Sequence, residues 1–389
     1  MWLAHSSFME VVKKSWNSPN YDGGMRGLVK KLQNLKRDLK IWNLESFGNI
    51  FDDIKTCESE VLEAEKDFEN DPTPENREKW SHYRSLLVAK YKIERKFWKQ
   101  KANIKWLKEG DANTIFFHSY AKMRKKMYTI NSIQNTEGEP VNALPDIASA
   151  AIHFFKDLYS VEPTVSLEQI QKYIPKIISE EDNYMMTKLP EEEEVKAAVW
   201  DLNSKGAPGP DGFNGIYFKK CWSIVCTDVV KAIQKFFWGI SIPKGMVSSW
   251  IILIPKKGKP SSFAEFMPIC LSNFVSKIYN KVLASRLNDI LPKIISKEQA
   301  GFMKGRDIAD QILVAQEMIH SIDMKIRGSN VVVKLDMAKA FDKVSWSFLS
   351  DVLSKFGFSE LFIHIVMNNL KSTYLSILVN GIPHGFLSL

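Results

Sequence analysis

Cysteine is scarce in this chain: four residues in 389, Cys57, Cys221, Cys226 and Cys270, with no Cys-x-x-Cys pair. A small disulfide scaffold is excluded, and so few thiols in so long a chain fit a reducing, intracellular compartment. The seven histidines (His5, His82, His118, His153, His320, His364 and His384) do not fall with cysteine or acid at metal-ligand spacing, so none is assigned to a metal or to catalysis. Long apolar runs are also missing. The longest obvious one is Trp250–Ile254, far short of the about 18 residues a membrane span needs, and the N-terminus has no signal-peptide core. A soluble protein with no membrane partner is expected. No internal repeat or low-complexity tract is visible, and 45% hydrophobic with 25% charged residues excludes disorder and collagen. What remains is a globular chain long enough for two or three cores. Lys and Arg number 53 against 45 Asp and Glu, a surplus of 8 that suits a polyanionic partner without naming one. Any basic surface must be local.

Leu28, Leu32, Leu35, Leu39 and Trp42 recur at intervals of four and three, the period of one helix face, and Gly48 is a stop. A second stripe, Ile50, Ile54, Cys57, Val61, Ala64 and Phe68, runs to the break at Asp71-Pro-Thr-Pro74. A third helix is predicted from Glu75 to about Leu107, so the first hundred residues read as helical hairpins. Charge is divided unevenly between them. Glu58, Glu60, Glu63, Glu65, Asp67 and Glu69 crowd the second helix, whereas between Arg84 and Lys108 the only acid is Glu94. There Arg84, Lys90, Lys92, Arg95, Lys99, Lys101 and Lys105 interleave with Trp80, Tyr83, Tyr91, Phe97, Trp98 and Trp106, and Arg124, Lys125 and Lys126 follow. Two readings stand: phosphate contact with base stacking, or a solvated face whose aromatics pack inward.

Composition changes after Lys188-Leu-Pro190, which puts a domain boundary near 185. Glu191 to Glu194 follow Pro190 at a predicted helix start, where acids complement the helix dipole, and read as a solvated first turn. Beyond lie a Gly/Pro-rich loop from Lys205 to Gly212, a helix pair to Trp238, a strand Trp250–Pro255, helices near 273–290 and 308–322, and a strand Val331–Asp336. That last segment, Val331-Val-Val-Lys-Leu-Asp336-Met-Ala-Lys-Ala-Phe341-Asp342, puts a carboxylate at the end of a β-branched run. Nucleotidyl transfer needs carboxylates converging on paired metal ions, and one Asp cannot assemble such a site. On pattern alone Asp336 is either a metal ligand or a cap.

Several further stretches occur in order along the chain: Trp42-Asn-Leu-Glu-Ser-Phe-Gly-Asn49, Trp106-Leu-Lys-Glu-Gly-Asp-Ala-Asn-Thr-Ile-Phe-Phe-His118, Lys205-Gly-Ala-Pro-Gly-Pro-Asp-Gly-Phe213, Ile254-Pro-Lys-Lys257, Gln299-Ala-Gly-Phe-Met-Lys-Gly-Arg306 and Lys334-Leu-Asp-Met-Ala-Lys-Ala-Phe-Asp342. Together, from Trp42 onward, they resemble the reverse transcriptase protein of plant LINE-type (non-LTR) retrotransposons. The resemblance implies an α+β chain, with a mainly helical region over 1–185 and, over 186–389, the fingers and incomplete palm of a right-hand polymerase fold. Fingers would run from about 190 to 330, with the palm starting at the Val331 strand.

Carried over by position, Asp336 resembles the first metal-binding aspartate, with the Met337 carbonyl beside it, and Phe341 the aromatic gate that excludes a ribose 2′-hydroxyl. Lys256 resembles the fingers lysine that meets the incoming triphosphate, a role for a mobile point charge. Asp211 and Gly212 match a fingers loop close to nucleic acid, or simple turn chemistry. Gln299 and Arg306 match a segment near template and nucleotide, where Arg306 alternatively braces the loop. The implied cofactor is Mg²⁺; the implied partners are an RNA template, a DNA primer or target, and deoxynucleotides, and the implied location is the nucleus.

The departures are equally specific. The family usually has an arginine where Met267 stands in Phe266-Met-Pro-Ile269, and a thioether cannot replace its fork onto phosphate oxygens. The family also places two adjacent aspartates on a palm hairpin, whereas beyond Asp342 this chain has only Asp351 and Glu360. Its sole Asp-Asp pair, Asp52-Asp53, reads as a solvated helix face. The expectation is a chain truncated at both ends, since Trp2 to Trp16 resembles the stretch just after the family's endonuclease. Three functions follow: a polymerase fragment inactive by itself, a non-catalytic nucleic-acid-binding protein, or a transposon relic whose Tyr374–Val379 strand is left unpaired.

Overall fold

A computed structural model describes residues 2–19, 22–102, 114–160, 172–320, 322, 324, 330–336 and 344–388. The chain divides into two compact units, Met1–Asn20 with Lys30–Asn131, and Tyr21–Val29 with Ser132–Leu389. This division falls at 131/132, upstream of the composition change near 185.

The first unit is helical. It contains α1 (Phe8–Trp16), α2 (Gly24–Phe47, from Lys30 onward), α3 (Ile50–Asn70), α4 (Pro74–Ala102) and α5 (Thr114–Tyr128). The apolar stripe of α2 is buried as its spacing predicts, through Leu32, Leu35, Leu39 and Trp42. Trp42 is the hub: its ring meets those of His5 at 5.3 Å, Phe47 at 5.5 Å and Phe8 at 6.0 Å, and its indole N–H donates to the Ser7 hydroxyl at 3.0 Å. Gly48, at φ 52°, ends α2, and the Asn49 side chain caps α3 by accepting from the Phe51 N–H. The cross-helix bonds Lys79 to Asp67, Tyr91 to Glu58 and Lys90 to Asp53 run in opposite order along α3 and α4, so the two form an antiparallel hairpin. α4 is followed to Ala102; the predicted extension to Leu107 lies outside the described residues.

The second unit is built around one sheet. A two-residue hairpin of β1 (Ile133–Gln134) and β2 (Pro140–Val141) leads to α6 (Leu144–Tyr159), α7 (Glu180–Thr187) and α8 (Glu192–Asp201). Then come α9 (Gly215–Lys220), α10 (Trp222–Phe237), α11 (Lys244–Val247), β3 (Ser248–Pro255), β4 (Phe266–Ser272) and α12 (Phe274–Ile294). The last elements are α13 (Ile308–His320), α14 (Trp346–Phe356), α15 (Glu360–Lys371), β5 (Tyr374–Val379) and β6 (Ile382–Ser388).

The strand order is β4-β3-β5-β6. β3 pairs antiparallel with β4 (Ile254 opposite Met267) and parallel with β5 (Ile252 opposite Leu378), and β5 pairs antiparallel with β6. Both edge strands contain a proline, Pro268 and Pro383, which a central strand would not tolerate. The β5–β6 turn is Asn380-Gly381, both at positive φ, the chemistry of a two-residue hairpin. One face, Ser249, Ile251, Leu253, Leu375, Ile377 and Val379, is buried; on the other, Trp250, Ile252, Ile254, Tyr374, Ser376 and Leu378 are half-exposed. On the buried side α6 packs against β5 and β6, close enough that a Cβ on Gly385 would meet Ile152 at 2.9 Å. That packing is why residues 132–159 belong with the sheet.

Two expectations about strands are corrected. Val331–Asp336 forms no strand: its residues lack regular structure and are exposed, Leu335 by 85%. β3 and β5 already have two neighbours each, and β-branched sequence without a ladder partner does not make a strand. Conversely, Tyr374–Val379 is not unpaired, because β5 is hydrogen-bonded on both sides.

Candidate nucleic-acid interface and polymerase site

The hairpin sorts the chemistry of α4. Facing α3, Trp80 stacks on Phe68, Phe97 and Trp98 pack on Phe51, and the Trp98 ring lies 4.3 Å from that of His118. The Tyr91 hydroxyl donates to Glu58 at 2.5 Å, which pushes its pKa up to about 12. Lys90 is paired with Asp53 at 2.5 Å, Lys101 lies 4.5 Å from the Phe97 ring centroid, and the Arg84 guanidinium 5.5 Å from that of Trp80. Of the two readings of this helix, these contacts favour inward packing for Trp80, Phe97 and Trp98, while Tyr91 is exposed and tied to Glu58 through its hydroxyl. At helical spacing Lys92, Arg95, Lys96 and Lys99 fall on the side away from the Lys90–Asp53 pair, with Lys92 and Lys96 exposed. Lys105 and Trp106 lie outside the described residues. What α4 offers a polyanion is a stripe of cations.

In the second unit, Lys256 follows the end of β3. Its backbone N–H donates to Glu265 O at 2.9 Å, and its ammonium reaches Ala264 O at 3.4 Å. The neighbouring Lys257 pairs with Glu265 at 2.6 Å; with the Ser261 N–H, it holds the Glu265 carboxyl below its usual range. Met267 is exposed on the edge strand opposite Ile254. Arg306 braces its own loop, its guanidinium donating to the carbonyls of Ser296, Gln299 (2.7 Å) and Ile295 (3.4 Å). Gln299 donates to Gly301 O at 3.3 Å. The Asp211 carboxylate accepts from the Phe213 N–H at 3.0 Å, and Gly212, at φ 87°, donates to Gly209 O at 3.0 Å, both turn contacts.

Asp336 is exposed at the end of the unpaired segment, while Met337 and Phe341 lie outside the described residues. No hydrogen bond or ion pair joins Lys256, Arg306 and Asp336. Among the described residues no three His, Cys, Asp or Glu side chains converge where a metal ion would sit. The described residues therefore do not by themselves assemble a divalent-ion site.

Two buried groups escaped the sequence reading. Asn273, 1% exposed, precedes α12 and ties three segments together: its Oδ1 accepts from the Asp211 N–H at 3.0 Å, and its Nδ2 donates to Gly245 O at 2.8 Å and Met246 O at 3.3 Å. Gly209 permits this approach, since a Cβ there would lie 2.5 Å from Asn273 N. Arg286 of α12 grips Glu194 through two bonds of 2.7 and 2.8 Å, donates to Lys188 O at 2.7 Å and Met186 O at 3.2 Å, and lies over the Phe237 ring. Glu194 is thus an anchored partner, which corrects the solvated reading for that residue, whereas Glu191, Glu192 and Glu193 are exposed as expected of a solvated first turn. A buried arginine leaves no periodic signature. The Gly and Pro residues of the 205–212 loop were the only hint of Asn273.

Lys256, the edge strand β4 and the terminal β5–β6 hairpin all fall in one matched stretch: residues 254–388 match the family described as reverse transcriptase (RNA-dependent DNA polymerase). Over those residues the chain carries a reverse transcriptase domain. It is similar to the Xenopus laevis "Transposon TX1 uncharacterized 149 kDa protein", 23% identical over 278 residues, 71% of this chain and 21% of the relative. It is 28% identical over 162 residues to a Drosophila melanogaster "Probable RNA-directed DNA polymerase from transposon BS" (39% and 17%). To the Drosophila melanogaster Pol polyprotein of type-2 retrotransposable element R2DM it is 24% identical over 180 residues (46% and 16%). The chain spans about a fifth or less of the length of these relatives. No helix among the described residues is long and apolar enough to cross a membrane.

Proposed function

We propose that these 389 residues are the template-holding portion of an RNA-directed DNA polymerase from a plant LINE-type element, with fingers from about 190 and the palm beginning near Val331. The observation that supports this most is the family match over 254–388, which takes in Lys256 at the end of β3 and runs through Asp336 to the β5–β6 hairpin. In this reading Lys256 meets the triphosphate of a deoxynucleotide, Phe341 screens its sugar, and Asp336 with the Met337 carbonyl supplies one side of a Mg²⁺ site. The RNA template and DNA primer or target are drawn to the cations of α4, and a working copy acts in the nucleus.

By themselves these residues bind but do not polymerise. Beyond Asp342 the sequence has two separate acids and no adjacent pair, and a two-ion site needs converging carboxylates. Fluorescence-anisotropy titration against a labelled RNA/DNA primer-template tests the binding half. Saturable binding is expected, with a salt slope that falls by about three units when Lys92, Lys96 and Lys99 are changed to Gln. Absence of binding by a cooperatively melting preparation would reject the reading in favour of a relic.

A further inference from the structure

Across the terminal hairpin, Tyr374 of β5 and Phe386 of β6 stack with ring centroids 4.6 Å apart and planes 16° from parallel. The Lys244 ammonium, at the start of α11, lies 4.7 Å from the Tyr374 centroid and 5.7 Å from that of Phe386. Both rings are on the half-exposed face of the sheet. Tyr374 belongs to the half-exposed set of β5, and Phe386, stacked on it beyond the irregularity at Gly385, shares that face. Phe386 keeps 55% of its surface in solvent, although nothing in hairpin geometry requires an aromatic there.

The surroundings favour a polyanion. α15 lies alongside the chain that precedes α11: His364 Nε2 is 3.1 Å from Gly239 O, and the Asn368 amide donates to Ile240 O at 3.2 Å. Trp238 and Ile240 are exposed along this strip. Residues 238–248 and 372–388, which bring Lys244, Tyr374 and Phe386 together, include no acid. Phosphate complements the Lys244 ammonium and base π-faces complement the rings, whereas an apolar protein surface would leave that ammonium uncompensated.

We propose that the Tyr374–Phe386 stack with Lys244 is a stacking platform for single-stranded RNA, with a base on the exposed Phe386 ring and a backbone phosphate at Lys244. It rests on the reading of this chain as a template holder. A single strand is required because the bases of a duplex already stack on one another.

The test titrates the full chain with a short labelled single-stranded oligoribonucleotide and with an abasic ribose-phosphate oligomer of equal length, at several salt concentrations. Phe386→Ala is expected to weaken binding of the base-bearing RNA about fivefold or more without altering the salt slope, and Phe386→Trp to restore it. On the abasic oligomer, wild type and Phe386→Ala should bind alike. Lys244→Gln, which leaves the hairpin sequence intact, should lower the salt slope by about one unit. Equal affinity of Phe386→Ala and wild type for the base-bearing RNA would overturn the platform alone, as would an equal loss on the abasic oligomer. Failure of wild type to bind either oligomer would overturn the platform together with the template reading.

Discussion

Helices α10 and α13 have similarly apolar sequences and opposite fates. α10 buries Trp222, Val225, Val229, Ala232, Ile233, Phe236 and Phe237, with Tyr279 of α12 stacked on Phe236 at 4.1 Å. α13 buries none of its residues, leaving Ile308, Ile312, Leu313, Val314, Met318 and Ile319 exposed. The unpaired Val331–Leu335 run shares this exposure. Periodicity therefore specifies that a helix forms and which stripe is apolar; it does not say whether the described residues supply a cover. α10 and α12 belong to a finished core; among the described residues, α13 and the Val331–Asp336 run do not.

The sharpest way to break this contrast is a matched pair of truncations. Phe237→Ala should cost about 3–5 kcal/mol, whereas Ile312→Ala should stay within about 0.5 kcal/mol, read from denaturant midpoints at constant slope. A large loss from Ile312→Ala would mean that α13 is packed in solution. Next in size is Arg286→Ala, expected to cost about 3 kcal/mol. That is less than for a fully buried pair because Glu194 reaches solvent; Arg286→Met should recover part of it by keeping the packing on Phe237. The smallest effect concerns acid. Lys293 first, and then the Ser179 N–H, hold the Asp182 carboxyl below its usual value of 3.8. A depressed pKa contributes stability that is present above pH 3.8 and lost as pH falls through the lower folded value. Melting temperature against pH should therefore decline on that limb in wild type and flatten in Asp182→Asn.

Much of the fold was legible because it rests on spacing. The Leu28–Trp42 stripe, the Ile50–Phe68 stripe and the strand ending at Pro255 form where periodicity and Pro punctuation put them. The Val331 strand misled because β-branching reports a preference for a pleated surface and cannot report a missing neighbour. The hairpin of β5 and β6 could have been read from Asn380-Gly381, the strongest short-range turn signal in that stretch. For the candidate site, spacing located the cations of α4 but not their division between an aromatic inner face and a basic outer one, which needs the position of α3. Arg306 and Asp211 proved to be occupied in loop and turn bonds that only coordinates reveal.

The central claim is that a nucleic-acid-holding surface is present within these residues while a catalytic metal site is not. Primer extension on an RNA template with deoxynucleotides and Mg²⁺, at protein concentrations where anisotropy shows the primer-template fully bound, tests it most directly. The account predicts a bound but unextended primer. Templated incorporation by the wild-type chain that disappears in Asp336→Asn would contradict it, because the residues present would then suffice to build the site.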